Sequence, residues 1–212
     1  GTLFERSLDP RQRSQLGAHY TSREDIELVT DPVLISPLKR EWLAIKQYVT
    51  EANQKAELPD KDSESSKLSE VTDRLREFHE DLGKLDILDP ACGSGNFLSV
   101  AMAQLLDLQK ELIATAYTLG IKDLRLTVSP SQFHGIEINT YAHELAEATI
   151  WMGYIKWLHQ NGYGIPEDPI LEPLDSILNM DAVLAYDVRG EPADPDWPPA
   201  DVIIGNPPYL GD

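Results

Sequence analysis

The sequence is short of cysteine, of positive charge and of long apolar runs, and each shortage excludes something. A single cysteine, Cys92, rules out an intrachain disulfide. The fold must rest on a hydrophobic core, and the lone thiol fits a reducing compartment such as the cytoplasm. No apolar run reaches the roughly 18 residues needed to span a bilayer, so no membrane partner is expected. The first residues, Gly1-Thr2-Leu3-Phe4-Glu5-Arg6, lack a basic stretch followed by an apolar core, so no secretory signal is expected. Metal-ligand spacing is missing too. His143-Glu144 is followed by Leu145, Ala146 and Glu147, without the second histidine of a zinc protease, and His19, His79, His134 and His159 are not spaced with cysteine as ligands; no metal is expected. Against 36 acidic residues stand 18 Lys and Arg, a net charge of −18. Phosphate binding calls for a basic surface, so the bulk charge argues against nucleic acid unless another part of a longer protein supplies that surface.

What is present is enough chain, 212 residues, for one good-sized domain with or without an appendage. Thr21-Ser22 ahead of Glu24 and Asp25 predicts a helix with a hydroxyl cap running to about Thr30, with Pro32 and Pro37 marking restarts. A second helix is expected over residues 38–49. Residues 51–66 are polar, contain Pro59 and read as a linker, and 68–82 read as an amphipathic helix. Residues 85–89 then form a short apolar run ending in an acid, as in a buried parallel strand. Helix is expected from Gly95 to about Ile113, strand over 133–137, and helix over 141–159, where Ala142, Ala146, Ile150 and Trp157 recur at helical spacing. Further strands are expected at 176–180 and 201–205. Loops are expected at 160–173 and at 186–200, which holds four prolines. Strand and helix alternate, which implies an α/β fold with a doubly wound parallel sheet. An N-terminal helical segment, 1–82, precedes the α/β part, 83–212.

Four polar residues, Asp89, Glu137, Asp181 and Asn206, fall where four expected strands end, and open α/β sheets bind ligands at the carboxyl ends of their strands. After Asp89 come Pro90, Ala91, Cys92, Gly93, Ser94 and Gly95, small residues that let a ligand approach the backbone. A dinucleotide fold would put Gly or Ala where Leu98 stands and an acid about 20 residues on, whereas Glu137 lies 42 residues past Gly95. Both features count against NAD. Glu137 can accept from both hydroxyls of a ribose and Asp181 from the amino group of an adenine ring, with Ile138 and Ala182 as apolar walls. Asn206-Pro207-Pro208-Tyr209 suits a reaction at an aromatic amino nitrogen, whose lone pair is delocalised into the ring. The Asn206 oxygen and the Pro207 carbonyl can hold both N–H bonds out of plane, and Tyr209 offers a face for a base drawn out of a duplex. The absence of a Pro-Cys nucleophile argues against chemistry at C5 of cytosine.

Together these stretches resemble the amino-methyltransferases that act on adenine or cytosine in DNA. Asp89–Leu98 looks like their S-adenosylmethionine loop, Gly135-Ile136-Glu137 like their ribose motif, Asp181 like their adenine contact, and Asn206–Tyr209 like their catalytic tetrapeptide. Gly17–Ser22 is similar to the segment that closes over the methionine part of the cofactor, which would bring Tyr20 and Thr21 to it. Its position ahead of the cofactor loop matches the gamma class, and its wording most resembles fused type II restriction–modification enzymes. The resemblance implies the class I S-adenosylmethionine-dependent methyltransferase fold and transfer to N6 of adenine, with Asn206, Pro207 and Tyr209 at the reacting base. It implies Asp89, Ala91, Gly93, Gly95, Glu137, Ile138, Asp181 and Ala182 around the cofactor. In such enzymes the tetrapeptide lies near the middle of the fold, whereas here the chain stops three residues after Tyr209. The expectation is a piece of a larger enzyme that meets double-stranded DNA through a missing C-terminal half or target-recognition domain. Glutamine and RNA amino-methyltransferases use similar tetrapeptides and are the rival enzymes; a non-catalytic cofactor-binding fragment is the rival of another class.

Overall fold

The structure is a computed structural model that describes residues 21–56, 61–164 and 175–207, with the main chain alone at 52–56 and 61–68. Two compact units are each assembled from separate stretches of chain. One comprises Gly1–Thr30, Leu85–Ala103 and Ser129–Asp212, the other Asp31–Lys84 and Gln104–Val128.

The first unit carries a parallel sheet. Its strands are β1 (Ile87–Asp89), β2 (Phe133–Ile136), β3 (Ile177–Leu178) and, further along the chain, β6 (Val202–Ile203), in the order β3-β2-β1-β6. Every pairing in it is parallel, with Ile87 opposite both Phe133 and Val202, and Gly135 opposite Ile177. β1 has neighbours on both sides, and Ile87, Leu88 and Asp89 are all buried, as on a parallel strand with both faces covered. Helix α4 (Asn96–Thr118) connects β1 to β2, and α5 (Thr140–Gln160) connects β2 to β3. Asn139 starts α5 by accepting the Ala142 amide on Oδ1 at 3.0 Å. From β1 the chain passes to β2 on one side, while β6 joins on the other. The order therefore reverses between β1 and β6, where an open α/β sheet leaves a crevice beyond its strand ends. The doubly wound parallel sheet expected from the sequence is observed, with strands shorter than the apolar runs suggested.

The same unit includes α1 (Arg23–Thr30), whose amide at Asp25 is capped by the Ser22 hydroxyl at 3.1 Å as expected. Pro32 does not interrupt the helix there. The chain widens into a π turn over Asp31–Ile35 and continues as α2 (Ser36–Ala56). A π turn lets a helix run on past residues that have no amide to donate, here Pro32 and Pro37.

The second unit is helical: α2, α3 (Lys61–Lys84), the later part of α4 and the segment after it. Trp42 stacks on Phe78 with ring centroids 6.1 Å apart, and its indole N–H donates to Glu111 at 2.9 Å. Buried Gln109 accepts the amides of Thr127 and Val128 at 3.0 and 3.1 Å and donates to the Thr127 hydroxyl at 2.6 Å. The polar stretch expected as a linker is helical at 51–56 and 61–66; residues 57–60, with Pro59, lie outside the described residues. Its Glu, Gln, Lys and Ala are strong helix formers, and a solvated helix has the same composition as a linker. The proline-rich stretch also differs from expectation. β4 (Ala185–Tyr186) and β5 (Pro192–Ala193) form an antiparallel hairpin, because Asp187 Oδ1 accepts the amides of Arg189 and Glu191 and Gly190 turns at φ 81°. Among the described residues no helix is long and apolar enough to cross a membrane.

Candidate active site

The three acids and one amide singled out by the sequence stand at one edge of the sheet. Asp89 closes β1, Glu137 follows β2, Asp181 lies three residues past β3, and Asn206 three past β6. Parallel strands present their carboxyl ends together, so the fold itself gathers these groups.

Asp89 is 1% exposed, and its Oδ1 accepts the Ala91 amide at 3.0 Å. Burial, which strips water from the ionised form, pushes its pKa from 3.8 up to about 7. The Ala91 amide pulls the other way, and the nearby charge of Glu137 adds to the rise. Burial likewise pushes the Cys92 thiol up, so that sulfur is inert rather than nucleophilic.

The loop after Asp89 is tied to β2 at two points. The Cys92 amide donates to the Ile136 carbonyl at 3.0 Å, and the Gly93 amide donates to Glu137 Oε2 at 2.9 Å. Glu137 Oε1 accepts the Asn139 amide at 2.8 Å, so one carboxylate organises both the small-residue loop and the entry to α5. Gly93 and Gly95 turn at φ 55° and 77°, for different reasons. A Cβ on Gly93 would project into open space, whereas one on Gly95 would lie 3.1 Å from the main chain of Ala146. Gly93 thus leaves its backbone open to a ligand, and Gly95 lets the loop pack on α5.

Asp181 Oδ1 accepts the amides of Val183 and Leu184 at 2.8 and 3.2 Å, which folds the strand-end turn around it. Ile138 is 63% exposed, an apolar side chain left open beside Glu137, and Ala182 is half-buried. Asn206 and Pro207 are exposed at the end of β6. The residue before them, Gly205, lies so close to Asp89 that a Cβ there would fall 2.5 Å from Oδ1. The Asp89 carboxyl and the residue that precedes Asn206 are thereby packed together at the reversal in strand order. Thr21 is half-buried just ahead of α1; Tyr20, Pro208 and Tyr209 lie outside the described residues. Among the described residues no cluster of His, Cys, Asp and Glu can hold a metal ion.

Residues 62–212 match the family described as the MmeI DNA-methyltransferase domain. The chain belongs to this family. It is 29% identical, over its whole length, to DNA methyltransferase A of Bacillus subtilis, of which it spans 22%. Over 74% of its length it is 30% identical to a putative type II restriction enzyme and methyltransferase of Methanocaldococcus jannaschii, of which it spans 14%. Its fold resembles the solved structure of the type IIL restriction–modification enzyme MmeI in complex with DNA. The TM-score is 0.62 at 26% identity, covering 85% of this chain and 22% of that one. The chain thus spans about a fifth or less of the length of these relatives.

Sequence reasoning missed three residues at this edge. Asn179 Nδ2 donates to the Glu137 carbonyl at 2.7 Å, and its Oδ1 accepts the Thr140 hydroxyl at 3.0 Å. Trp197 donates to the Ala182 carbonyl at 2.9 Å, which pins Ala182 from the far side of the hairpin. Gly205 is required by the Asp89 contact. Only Asn179 had a local signal, an amide directly after the last apolar strand residue.

Proposed function

We propose that this chain is the cofactor-holding and methyl-transferring part of a restriction–modification DNA methyltransferase that acts on N6 of adenine, working in the cytoplasm. The observation that carries the reading is the junction of Asp89, Gly93 and Glu137 with Gly205, the residue directly before Asn206, at one sheet edge.

The residues fit S-adenosylmethionine. The open backbone at Gly93 admits close approach, and the Asp89 carboxyl, beside the charge of Glu137, suits a ligand that carries positive charge. Asp89, Ala91, Gly93 and Gly95 would hold its methionine side together with Tyr20 and Thr21. Glu137 would hold the ribose hydroxyls through the lone pairs its two backbone bonds leave free, and Ile138, Asp181 and Ala182 would hold the adenine. When bound, S-adenosylmethionine supplies a methyl group made electrophilic by its sulfonium.

The chain's own work is to prepare the nucleophile. Asn206 through its side-chain oxygen and Pro207 through its carbonyl accept the two N–H bonds of the target amino group. This draws the nitrogen lone pair out of conjugation and takes up the positive charge that develops there. Tyr209 stacks on the extruded base. Double-stranded DNA is the substrate, gripped by parts of the parent protein that provide the basic surface this acidic chain lacks.

The test is twofold. Calorimetry on this chain should detect S-adenosylhomocysteine binding. In the full-length parent, label from methyl-tritiated cofactor should enter duplex DNA at adenine. Label on cytosine, or none with any duplex, refutes the assignment.

A further inference from the structure

The Asn179 side chain stands where the sheet would otherwise continue. Between β2 and β3 the rungs run from the Gly135 amide to the Ser176 carbonyl at 2.9 Å and from the Glu137 amide to the Leu178 carbonyl at 3.0 Å. In a parallel ladder the next rung would bring the amide of residue 180 to the Glu137 carbonyl. That carbonyl instead receives Asn179 Nδ2 at 2.7 Å. The last rung is filled by a side chain, and the main chain leaves the sheet at Asn179 and turns into the Asp181 loop. The other end of the amide accepts the Thr140 hydroxyl at 3.0 Å, at the start of α5. One side chain therefore fastens the turn that carries Glu137 and Ile138 to the turn that carries Asp181 and Ala182.

We infer that Asn179 is a positioning residue that sets the spacing between the ribose-holding and adenine-holding sides of the nucleoside pocket, and so its selectivity for the adenine ring. The inference rests on the reading of Glu137 and Asp181 given above. Asn179 need not touch the ligand. It fixes Asp181 at the distance from Glu137 that lets the exocyclic amino group be met while the ribose is held.

Two ligands separate the two sides. S-adenosylhomocysteine carries the amino group, and S-inosylhomocysteine carries a carbonyl oxygen in its place. Calorimetry with the 212-residue chain should show tighter binding of the adenosyl ligand. In Asn179→Ala its affinity should fall about tenfold, the worth of roughly one well-made hydrogen bond. The inosyl ligand should lose much less, so the ratio between the two shrinks. Thr140→Val, which removes only one of the two bonds and leaves the Glu137 carbonyl capped, should shrink the ratio partially, and Thr140→Ser should restore it. Thr140→Val also serves if Asn179→Ala does not fold. Equal losses for both ligands, or an unchanged ratio in folded variants, overturn the inference while leaving the cofactor site standing. Failure of the parent chain to bind either ligand overturns the site itself.

Discussion

Replacing Asp89 by Asn tests whether a buried carboxyl at the centre of the sheet is held at a cost to stability. The Asp89 pKa is 3.8 when solvated and about 7 in the fold, a rise of about 3 units. At 1.36 kcal/mol per unit, the ionised fold is penalised by about 4 kcal/mol, a ceiling reached only if the site does not relax. The sign follows from proton counting. Below pH about 4 both states are protonated, and the group contributes no pH dependence. Between about 4 and 7 the unfolded chain ionises while the fold keeps its proton, so stability falls as pH rises; above 7 the penalty is complete. Asn is neutral throughout, and its oxygen can still accept the Ala91 amide, but its NH₂ group must find an acceptor in a buried site. The cofactor-free variant should therefore be equal or less stable than the parent at pH 5 and more stable at pH 8. The assay is urea unfolding at intervals from pH 5 to 8, followed by tryptophan fluorescence. Three of the four tryptophans, Trp151, Trp157 and Trp197, lie in the unit with the sheet. The other titrating groups are common to both proteins, so the difference between variant and parent isolates Asp89. A difference that stays constant across the range, within about 0.5 kcal/mol, would refute the reasoning.

Other outcomes follow from the same geometry. Glu137→Ala should weaken S-adenosylhomocysteine about 10- to 100-fold, because it removes a charged acceptor worth roughly 1.5–3 kcal/mol; equal affinity by calorimetry would take Glu137 out of the site. In the full-length parent, Asn206→Ala should lower single-turnover methyl transfer by ~10²–10³ while cofactor affinity stays unchanged, since a preorganised acceptor at the reacting nitrogen is lost. An undiminished rate would refute its role. Gly95→Ala should destabilise the sheet-bearing unit, because φ is 77° and the new Cβ would press on the Ala146 main chain at 3.1 Å; an unchanged unfolding midpoint would contradict this. Gly93→Ala, at φ 55° but facing open space, should fold more readily and lose cofactor affinity instead, which the same two measurements separate.

The polar groups at the sheet edge were legible in the sequence because each is written locally. Asp89 through Gly95, Glu137 after an apolar run, and Asn206-Pro207 after another each pair a strand end with a reactive or permissive residue within a few positions. The alternation of strands and helices sufficed for a parallel α/β sheet. Composition failed where two structures share it: residues 51–56 and 61–66 are polar enough for a linker yet helical, and the prolines of 186–200 concealed a hairpin closed by Asp187. What only the tertiary structure decided is which strand ends become neighbours. β6 pairs with β1 across 115 residues, as the bond from the Asp86 amide to Asp201 marks, and this lays Gly205 on Asp89. The Glu137 carboxylate reaches Gly93 across 44 residues, and Asn179 closes the last rung of the ladder on the other side. No local pattern encodes these contacts, because they depend on strand order and register, which are set by how the whole apolar set packs and not by the residues that touch.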